Sequence, residues 1–384
     1  MISMAEGTRD LTRRGLLWGL LAAYGLHLIV LALYVFEIIP QEFHTPEYPF
    51  WFHQGGDERG YLALARALVS GNFTAGKYPL GFPILLVPFR WVVQPATRDT
   101  LIQPVAAFWS LAMFPLGQLA LAWLTVRLTG RRWLALLSVL LWTVLPVVTY
   151  ITLRLVSNPT FAEASSVHMT WAQMLSDGPA TLFTLLTLVV FLAARARGYP
   201  LWSVSMLGAV GGFLLLIRLT GILTVGFIGL LLVIERRWRA AILMVALALI
   251  VFAPQMIYNQ YFFGGPLTTG YTVLDDLPPQ GLFSLTYLFD ALGKLWARLG
   301  LLLPVGVLLS VSLLGIGLVR LWQRSRVYAL VVGSWLGGYL AFYSVYFYSW
   351  NGSLPRFLIP VYPAAAIIGA VVLGYLIQVA RRRF

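Results

Sequence analysis

The acidic and basic side chains of this sequence are few, and several of them fall together in one polar stretch. Asp57 and Glu58 are adjacent in HQGGDERGYLALARALVSG, and Lys77 follows in GKYPLGFP. A carboxylate that is partly desolvated near a membrane surface can act as a general base toward a hydroxyl group. The structural alternative is that Asp57 caps a helix and Glu58 interacts with the positive end of the helix dipole.

Three basic residues next to turns are candidates for binding a phosphate: Lys77, Arg218 in FLLLIRLTGILTV, and Arg356 in GSLPRFLIPVYP. Arginine and lysine side chains hydrogen-bond phosphate oxygens well. Side chains that reach toward lipid headgroups would also explain these positions. Asp177 in MLSDGPATLF precedes Pro179, a pattern that is typical of a helix amino terminus and leaves a site role open.

Aromatic and histidine residues near these segments allow two interpretations. Tyr348 and Trp350 suit a membrane-interface belt, and their faces also suit sugar rings or prenyl chains. His53 lies close to Asp57, but these residues do not form a recognised metal-ligand spacing, so we expect no histidine-ligated metal.

The elements that must position these residues are membrane helices. The 384 residues are 59% hydrophobic and 11% charged, which is far outside the usual soluble composition. We therefore predict an all-α polytopic membrane protein with a bundle of about ten transmembrane helices and one domain, 1–384, without a separate soluble domain. Disulfides and cysteine nucleophiles are excluded because the chain has 0 cysteines.

Apolar runs of spanning length occur ten times along the chain. They cover residues 15–36, 101–126, 133–153, 178–194, 201–217, 219–234, 240–258, 299–319, 327–349 and 357–380. The run 81–93 is short and contains two prolines, so we predict a re-entrant or interfacial segment there. Between residues 58 and 69 the spacing predicts a helix on the membrane surface, with one apolar face made of Tyr61, Leu62, Ala65, Leu68 and Val69.

The arginines indicate an orientation. With the amino terminus in the cytoplasm, most of the 27 basic residues lie on the cytoplasmic side. If 81–93 were a full span, the later arginine clusters would face outward, so we reject that topology. The outer face then receives every acidic residue except Glu6, Asp10 and Glu235, and the outer loop 37–100 is the predicted catalytic loop.

Six segments together resemble the integral-membrane glycosyltransferases of the GT-C superfamily, in particular the protein O-mannosyltransferase-like and aminoarabinose transferase-like branch. The matching segments are GGDERGYLALARALVSG, KYPLGFPILLVP, MLSDGPATLFTLLTLVVFL, FLLLIRLTGILTV, PQMIYNQYFFGGPLTTGY and RFLIPVYPAAAIIGA. Two features depart from the family. Leu219 stands where the family often has proline. The sequence ends at the tenth predicted span and shows none of the further spans or the carboxy-terminal outer domain that some members use for their acceptors, so the resemblance does not imply which acceptor is used.

The resemblance implies roles for particular residues. Asp57 would be the catalytic carboxylate with Glu58 beside it, and Lys77, Arg218 and Arg356 would contact the phosphate of the donor. Possible substrate-lining residues are Tyr61, Asp177, His53, Trp350 and Asn259.

The function that follows is an inverting glycosyltransferase at the extracytoplasmic face. It would transfer a hexose or pentose from a polyprenyl-phosphate donor to a hydroxyl of a lipid, glycan or protein acceptor, in a bacterial or archaeal plasma membrane. The sequence identifies no certain cofactor, and a divalent cation (Mg or Mn) is possible. On these grounds Asp57→Asn should abolish most turnover and leave donor binding nearly unchanged.

Two other classes of function remain open. A flippase or transporter of a lipid-linked substrate is disfavoured because the ten runs contain no Asp, Glu, Lys or Arg between their ends. A non-catalytic subunit that binds a polyprenyl lipid would not need Asp57 for activity. We expect no binding to nucleic acid, because the distribution of the net charge of +13 is explained by the orientation in the membrane.

Overall fold

A computed structural model describes residues 10–35, 56–93, 97–156, 171, 174–274, 277–350 and 354–383. The helices of the first half are α1 (Arg13–Val35), α2 (Gly56–Ser70), α3 (Gly81–Val92), α4 (Arg98–Ala107), α5 (Phe114–Thr129), α6 (Arg132–Val156), α7 (Asp177–Ala196) and α8 (Leu201–Ile217). Those of the second half are α9 (Ile222–Ile234), α10 (Trp238–Phe263), α11 (Gly270–Val273), α12 (Leu285–Leu299), α13 (Leu302–Arg324), α14 (Arg326–Ser344), α15 (Leu354–Phe357) and α16 (Tyr362–Arg383). A π-helical segment, Phe108–Met113, joins α4 to α5.

The all-α prediction is confirmed, with helices at all ten predicted spans. In the described part of the chain, 7 helical stretches are long and apolar enough to cross a bilayer. They are Arg13–Leu33, Thr100–Thr129, Asp177–Ala196, Trp238–Phe263, Leu302–Arg324, Arg326–Ser344 and Ile359–Arg381. The remaining three predicted spans coincide with α6, α8 and α9, whose described apolar stretches are shorter. The number of crossings stays a prediction.

The predicted loop 37–100 contains both short helices that the sequence indicates. α3 has 12 residues, and at about 1.5 Å per residue it is roughly 18 Å long, too short to cross a hydrocarbon core of about 30 Å. α2 packs against α3. This contact corrects the predicted face of α2: Leu64 and Ala67 are buried together with Tyr61, Leu62 and Ala65, whereas Val69 is exposed.

Among the described helices longer than four residues, one was not predicted. The sequence LTYLFDALGKLWARL forms α12, in a segment that the apolar runs had left as an outer loop. Its polar and apolar residues are interspersed, so it lacks the continuous apolar run by which the spans were recognised. Ser284 caps its amino terminus by accepting a hydrogen bond from the backbone N–H of Thr286 at 3.2 Å.

The helices differ greatly in how much neighbouring protein surrounds them. In the most apolar window of α7, 67% of the residues are buried, whereas in α13 the share is 6%. α7 therefore lies inside the bundle, and α13 exposes most of its surface. α8 and α10 approach closely through Gly208 and Gly212, where an added Cβ atom would lie 2.7 Å from the Met244 carbonyl oxygen and 2.6 Å from that of Ala248. Small residues four apart permit such contact between membrane helices.

The bundle has two chemically distinct ends. Arg195 at the end of α7 pairs with Glu235 after α9 at 2.8 Å, and Arg324 at the end of α13 donates a hydrogen bond to the carbonyl of Thr129 at the end of α5. We call this the arginine-rich end. The opposite end contains the amino terminus of α7, the turn between α8 and α9, and α15, and we call it the site end.

Candidate active site

Asp57 lies in the first turn of α2, at the site end. Its Oδ1 atom accepts a hydrogen bond from the Tyr78 hydroxyl at 2.7 Å, and its Oδ2 atom accepts one from Nη2 of Arg356 at 2.7 Å. These side-chain donors replace the backbone N–H contacts expected of a helix cap. The side chain of Asp57 remains 29% exposed, so the carboxylate is both oriented and accessible.

Asp177 is the second carboxylate of the site, and it is fully buried at the first residue of α7. It accepts hydrogen bonds from Nη1 of Arg218 and from Nε of Arg356, the latter at 3.0 Å. Arg356 therefore bridges Asp57 and Asp177. Neither the capping interpretation of Asp177 nor the headgroup interpretation of Arg218 describes these contacts.

Arg218 reaches Asp177 because the chain bends there. Its backbone is extended, with φ −155° and ψ 121°, and it ends α8 before a short 3₁₀ turn leads into α9. The guanidinium centre of Arg218 lies 5.2 Å from the centroid of the Phe357 ring, and that of Arg356 lies 6.0 Å from the same ring. One aromatic ring thus supports both guanidinium groups through cation–π contacts.

The quartet Asp57, Asp177, Arg218 and Arg356 is balanced in charge. Burial alone would lower the pKa of Arg356, but attraction to Asp177 and Asp57 outweighs it and holds the pKa above its usual value. Burial, and then the charge of Asp57, raise the pKa of Tyr78 well above its ordinary value. Tyr78 therefore stays protonated at neutral pH and acts as a donor to Asp57.

Lys77 and a group of tyrosines border the quartet. The Lys77 ammonium lies 5.5 Å from the centroid of the Tyr78 ring and 5.8 Å from that of Tyr271. The Tyr271 ring in turn contacts Tyr348, with centroids 6.3 Å apart. Lys77 is only partly buried. A cation, an exposed carboxylate and several aromatic faces are thus close together.

The carboxyl-terminal part of α10 holds the loop that carries Lys77 and Tyr78. The Tyr258 hydroxyl donates to the Thr74 carbonyl at 2.8 Å and accepts from the Gly76 N–H at 2.7 Å. Gln255 accepts from the Leu80 N–H at 2.8 Å and donates to Asn259 at 2.8 Å. Asn259 is buried and fixes this loop through Gln255; its predicted contact with substrate stays a prediction.

The other predicted site residues are placed as follows. Glu58 is fully buried, and Tyr61 is 2% exposed with its hydroxyl 2.9 Å from Oγ of Ser176. Burial, and then the charge of Asp57, raise the pKa of Tyr61. His53 and the side chain of Trp350 lie outside the described residues.

Sequence reasoning missed four aromatic residues, Tyr78, Tyr258, Tyr271 and Phe357. Tyr78 and Phe357 stand directly beside Lys77 and Arg356 in the sequence, and this adjacency was the available signal. For Tyr258 and Tyr271 no local pattern marks the role, because their partners lie in distant segments.

The carboxylates of the site are engaged by cations of the protein. Asp57 and Asp177 both bind Arg356, and throughout the described ranges no three His, Asp or Glu side chains form a group suited to a metal ion. Among the described residues, a divalent cation at these carboxylates would compete with the guanidinium group of Arg356.

No protein-family model matches the sequence, and no curated protein does. The structure is similar to that of ArnT from Cupriavidus metallidurans bound to undecaprenyl phosphate, with 16% identity, a TM-score of 0.52, and coverage of 94% of this chain and 61% of that one. It is also similar to the oligosaccharyltransferase of Archaeoglobus fulgidus in its apo form, with 11% identity, a TM-score of 0.55, and coverage of 96% and 51%. The chain has the GT-C fold.

These similarities extend over nearly the whole chain and confirm the fold that the six sequence segments predicted. At such identities they establish the GT-C fold alone. The chain spans 61% of the ArnT chain and 51% of the oligosaccharyltransferase chain. Its activity, substrates and partners are therefore proposals.

Proposed function

We propose that this protein is an inverting glycosyltransferase that moves a sugar from a polyprenyl-phosphate donor to an acceptor hydroxyl at the extracytoplasmic face. The observation that carries the proposal is the environment of Asp57 within a GT-C fold. Its carboxylate is 29% exposed, accepts hydrogen bonds from Tyr78 and Arg356, and lies near two further cations. The crystal structure of ArnT with undecaprenyl phosphate supports a lipid phosphate as the donor group.

The proposed reaction needs one base and several phosphate ligands. Asp57 takes the proton of the acceptor hydroxyl while the acceptor oxygen forms a bond to C1 of the sugar. The bond from C1 to the phosphate oxygen breaks on the opposite face, its electron pair leaves with the lipid phosphate, and the configuration at C1 inverts. Cations near the leaving phosphate stabilise the negative charge that it retains.

We assign these parts to different residues. Asp57 suits the base because its side chain is exposed, whereas Glu58 and Asp177 are buried. We assign the phosphate to Arg356, which binds Asp57 directly, and to Lys77, which lies over the ring of Tyr78, the hydrogen-bond donor to Asp57. Arg218 acts through Asp177.

The deciding experiment is transfer of radiolabelled sugar from synthetic polyprenyl-phosphate sugars to a mixed acceptor extract by purified protein in nanodiscs. We expect the wild type to transfer sugar and Asp57→Asn to lose about 100- to 10,000-fold of the turnover, which is the usual contribution of a general base. Asp290→Asn is the matched control, because Asp290 is an exposed aspartate on α12.

Other outcomes would select other functions. Equal transfer by Asp57→Asn and the wild type would contradict the assignment of the base. If a fluorescent polyprenyl-phosphate lipid crossed proteoliposomes without any sugar transfer, the flippase hypothesis would replace the enzyme. Lipid binding with neither activity would indicate a binding subunit.

A further inference from the structure

A second group of arginines lies at the arginine-rich end, in an open cleft between α5, α6, α13 and α16. The cleft is open on one side, and the space in it that water-sized molecules can enter is about 40 Å³. Arg131, Arg320 and Arg324 line it together with Tyr375 and Gln378. Among the described residues that line the cleft, none is acidic. Three positive charges thus border one open cleft.

Neighbouring groups hold two of these guanidinium groups in place. The centre of the Arg320 guanidinium lies 3.8 Å from the centroid of the Tyr375 ring, and its Nη1 atom donates to Gln323 at 3.1 Å. Arg324 donates to the carbonyl of Thr129 and occupies the space beside Gly130. A guanidinium has five N–H donors, and the bonds described use one nitrogen of each. Both side chains are therefore oriented and still have donors for a ligand.

The charge in the cleft favours an anion, and arginine groups in particular suit the oxygens of a phosphate. Asp10, a carboxylate at the same end of the bundle, accepts hydrogen bonds from the backbone N–H groups of Arg132 at 2.8 Å and Trp133 at 3.4 Å, where it caps α6. It is not among the residues that line the cleft.

The remaining lining residues indicate that the anion carries an apolar chain. Leu128, Leu134, Leu321 and Val371 line the cleft and are buried. Next to it, Val319 on α13 and Leu376 on α16 are exposed, and α13 presents nearly all of its surface to the surroundings of the bundle. The cleft therefore has a cationic part and a buried apolar part, and neighbouring residues of α13 and α16 lie on the exposed surface of the bundle.

We propose that this cleft binds an anionic glycerophospholipid, with its phosphate at Arg131, Arg320 and Arg324 and an acyl chain along α13. A phosphatidylglycerol has a net negative headgroup, whereas the choline group of phosphatidylcholine would be repelled by the three guanidinium groups. The bound lipid would connect α13 to α5 and α16. This inference does not depend on the proposed enzymatic activity.

The test measures the thermal stability of the purified full-length protein in mild detergent, with added phosphatidylglycerol, phosphatidylcholine or inorganic phosphate. Native mass spectrometry of the same samples counts retained lipids. We expect phosphatidylglycerol to raise Tm by about 2 °C or more. The double variant Arg320→Gln with Arg324→Gln should lose this rise and the retained lipid.

Arg197→Gln is the matched control. Arg197 lies at the same end of the bundle, over the Trp202 ring at 5.5 Å, and does not line the cleft. A response to phosphatidylglycerol that this variant keeps and the double variant loses supports the site. An equal loss in both variants, an equal rise with phosphatidylcholine, or an equal rise with inorganic phosphate would each overturn it. If the double variant fails to fold, the same measurements are made on Arg320→Lys, which keeps the positive charge.

Discussion

At the scale of single residues, Asp57 and the donor phosphate compete for Arg356 in the proposed reaction. Its guanidinium group binds Asp57 and Asp177, and in the proposed reaction it also binds the donor phosphate. A phosphate that approaches Arg356 must therefore compete with the carboxylate of Asp57. Once the phosphate has replaced that contact, Oδ2 of Asp57 can accept a hydrogen bond from the acceptor hydroxyl instead.

This competition predicts an unusual effect of Asp57→Asn on binding. The sequence alone predicts unchanged donor binding, whereas the Arg356 contact predicts tighter binding of polyprenyl phosphate, by about threefold to tenfold or roughly 0.7–1.4 kcal/mol. Arg356→Gln should weaken the same binding. Microscale thermophoresis with a short-chain polyprenyl phosphate measures both, and weaker binding by Asp57→Asn would show that Asp57 is a ligand instead of a competitor.

Gly60 predicts a second effect at the scale of residues. A Cβ atom at this position would collide with the Tyr78 ring, so Gly60→Ala must move the ring whose hydroxyl orients Asp57. We expect Gly60→Ala and Tyr78→Phe each to lower turnover about tenfold, the value of one hydrogen bond to a charged group. Gly25→Ala is the control, since a Cβ there meets nothing within 4 Å.

The double variant separates this explanation from general damage. If both changes act through the same hydrogen bond, the loss in Gly60→Ala with Tyr78→Phe should be no larger than in either single variant. Multiplied losses in steady-state turnover would mean that Gly60 and Tyr78 act independently.

At the scale of helices, the contact between α8 and α10 connects two parts of the site. α8 ends at Arg218, and α10 carries Gln255 and Tyr258, which hold the loop of Tyr78. In Gly212→Ala the new Cβ would meet the backbone oxygen of Ala248 at 2.6 Å, and a backbone oxygen cannot move without its helix.

We therefore expect Gly212→Ala to destabilise the protein by about 1–3 kcal/mol, the usual cost of overpacking. It should lower both Tm in detergent and turnover, because Arg218 and Tyr78 shift with their helices. Gly226→Ala on α9, where a Cβ meets nothing within 4 Å, should change neither. Equal Tm values for the two variants would contradict the close contact.

The sequence predicted the helices whose residues form long apolar runs, as expected of segments that cross a bilayer. A chain segment in hydrocarbon must satisfy its own backbone hydrogen bonds, so long apolar runs give helices wherever they occur. The predicted start at residue 178 lies one residue from the actual start of α7 at Asp177. α12 was not predicted because its sequence contains no such run. The capping pattern at Asp177 correctly located a helix start, but it could not show that the carboxylate binds two arginines from other segments.

At the scale of the whole molecule, the separation of charge predicts an orientation that can be measured directly. The chain has 0 cysteines, so a single introduced cysteine reports its own position. Arg59 at the site end and Arg197 at the arginine-rich end are both exposed. In intact cells, a membrane-impermeant maleimide should label Arg59→Cys at once and Arg197→Cys only after permeabilisation. The reverse pattern would invert the predicted topology, and the wild type is the unlabelled control.

The distance along the chain between the partners of Asp177 has a consequence for biosynthesis. Arg218 follows Asp177 by 41 residues, whereas Arg356 follows it by 179 and follows Asp57 by 299. At about 5–20 residues per second, Arg356 is translated roughly 15–60 s after Asp57. The α7–α8 hairpin can thus enter the bilayer with Asp177 already neutralised by Arg218. Arg356 can join the network only after the helices from α1 to α14 have been translated, so its contacts with Asp57 and Asp177 form later than the contact between Asp177 and Arg218.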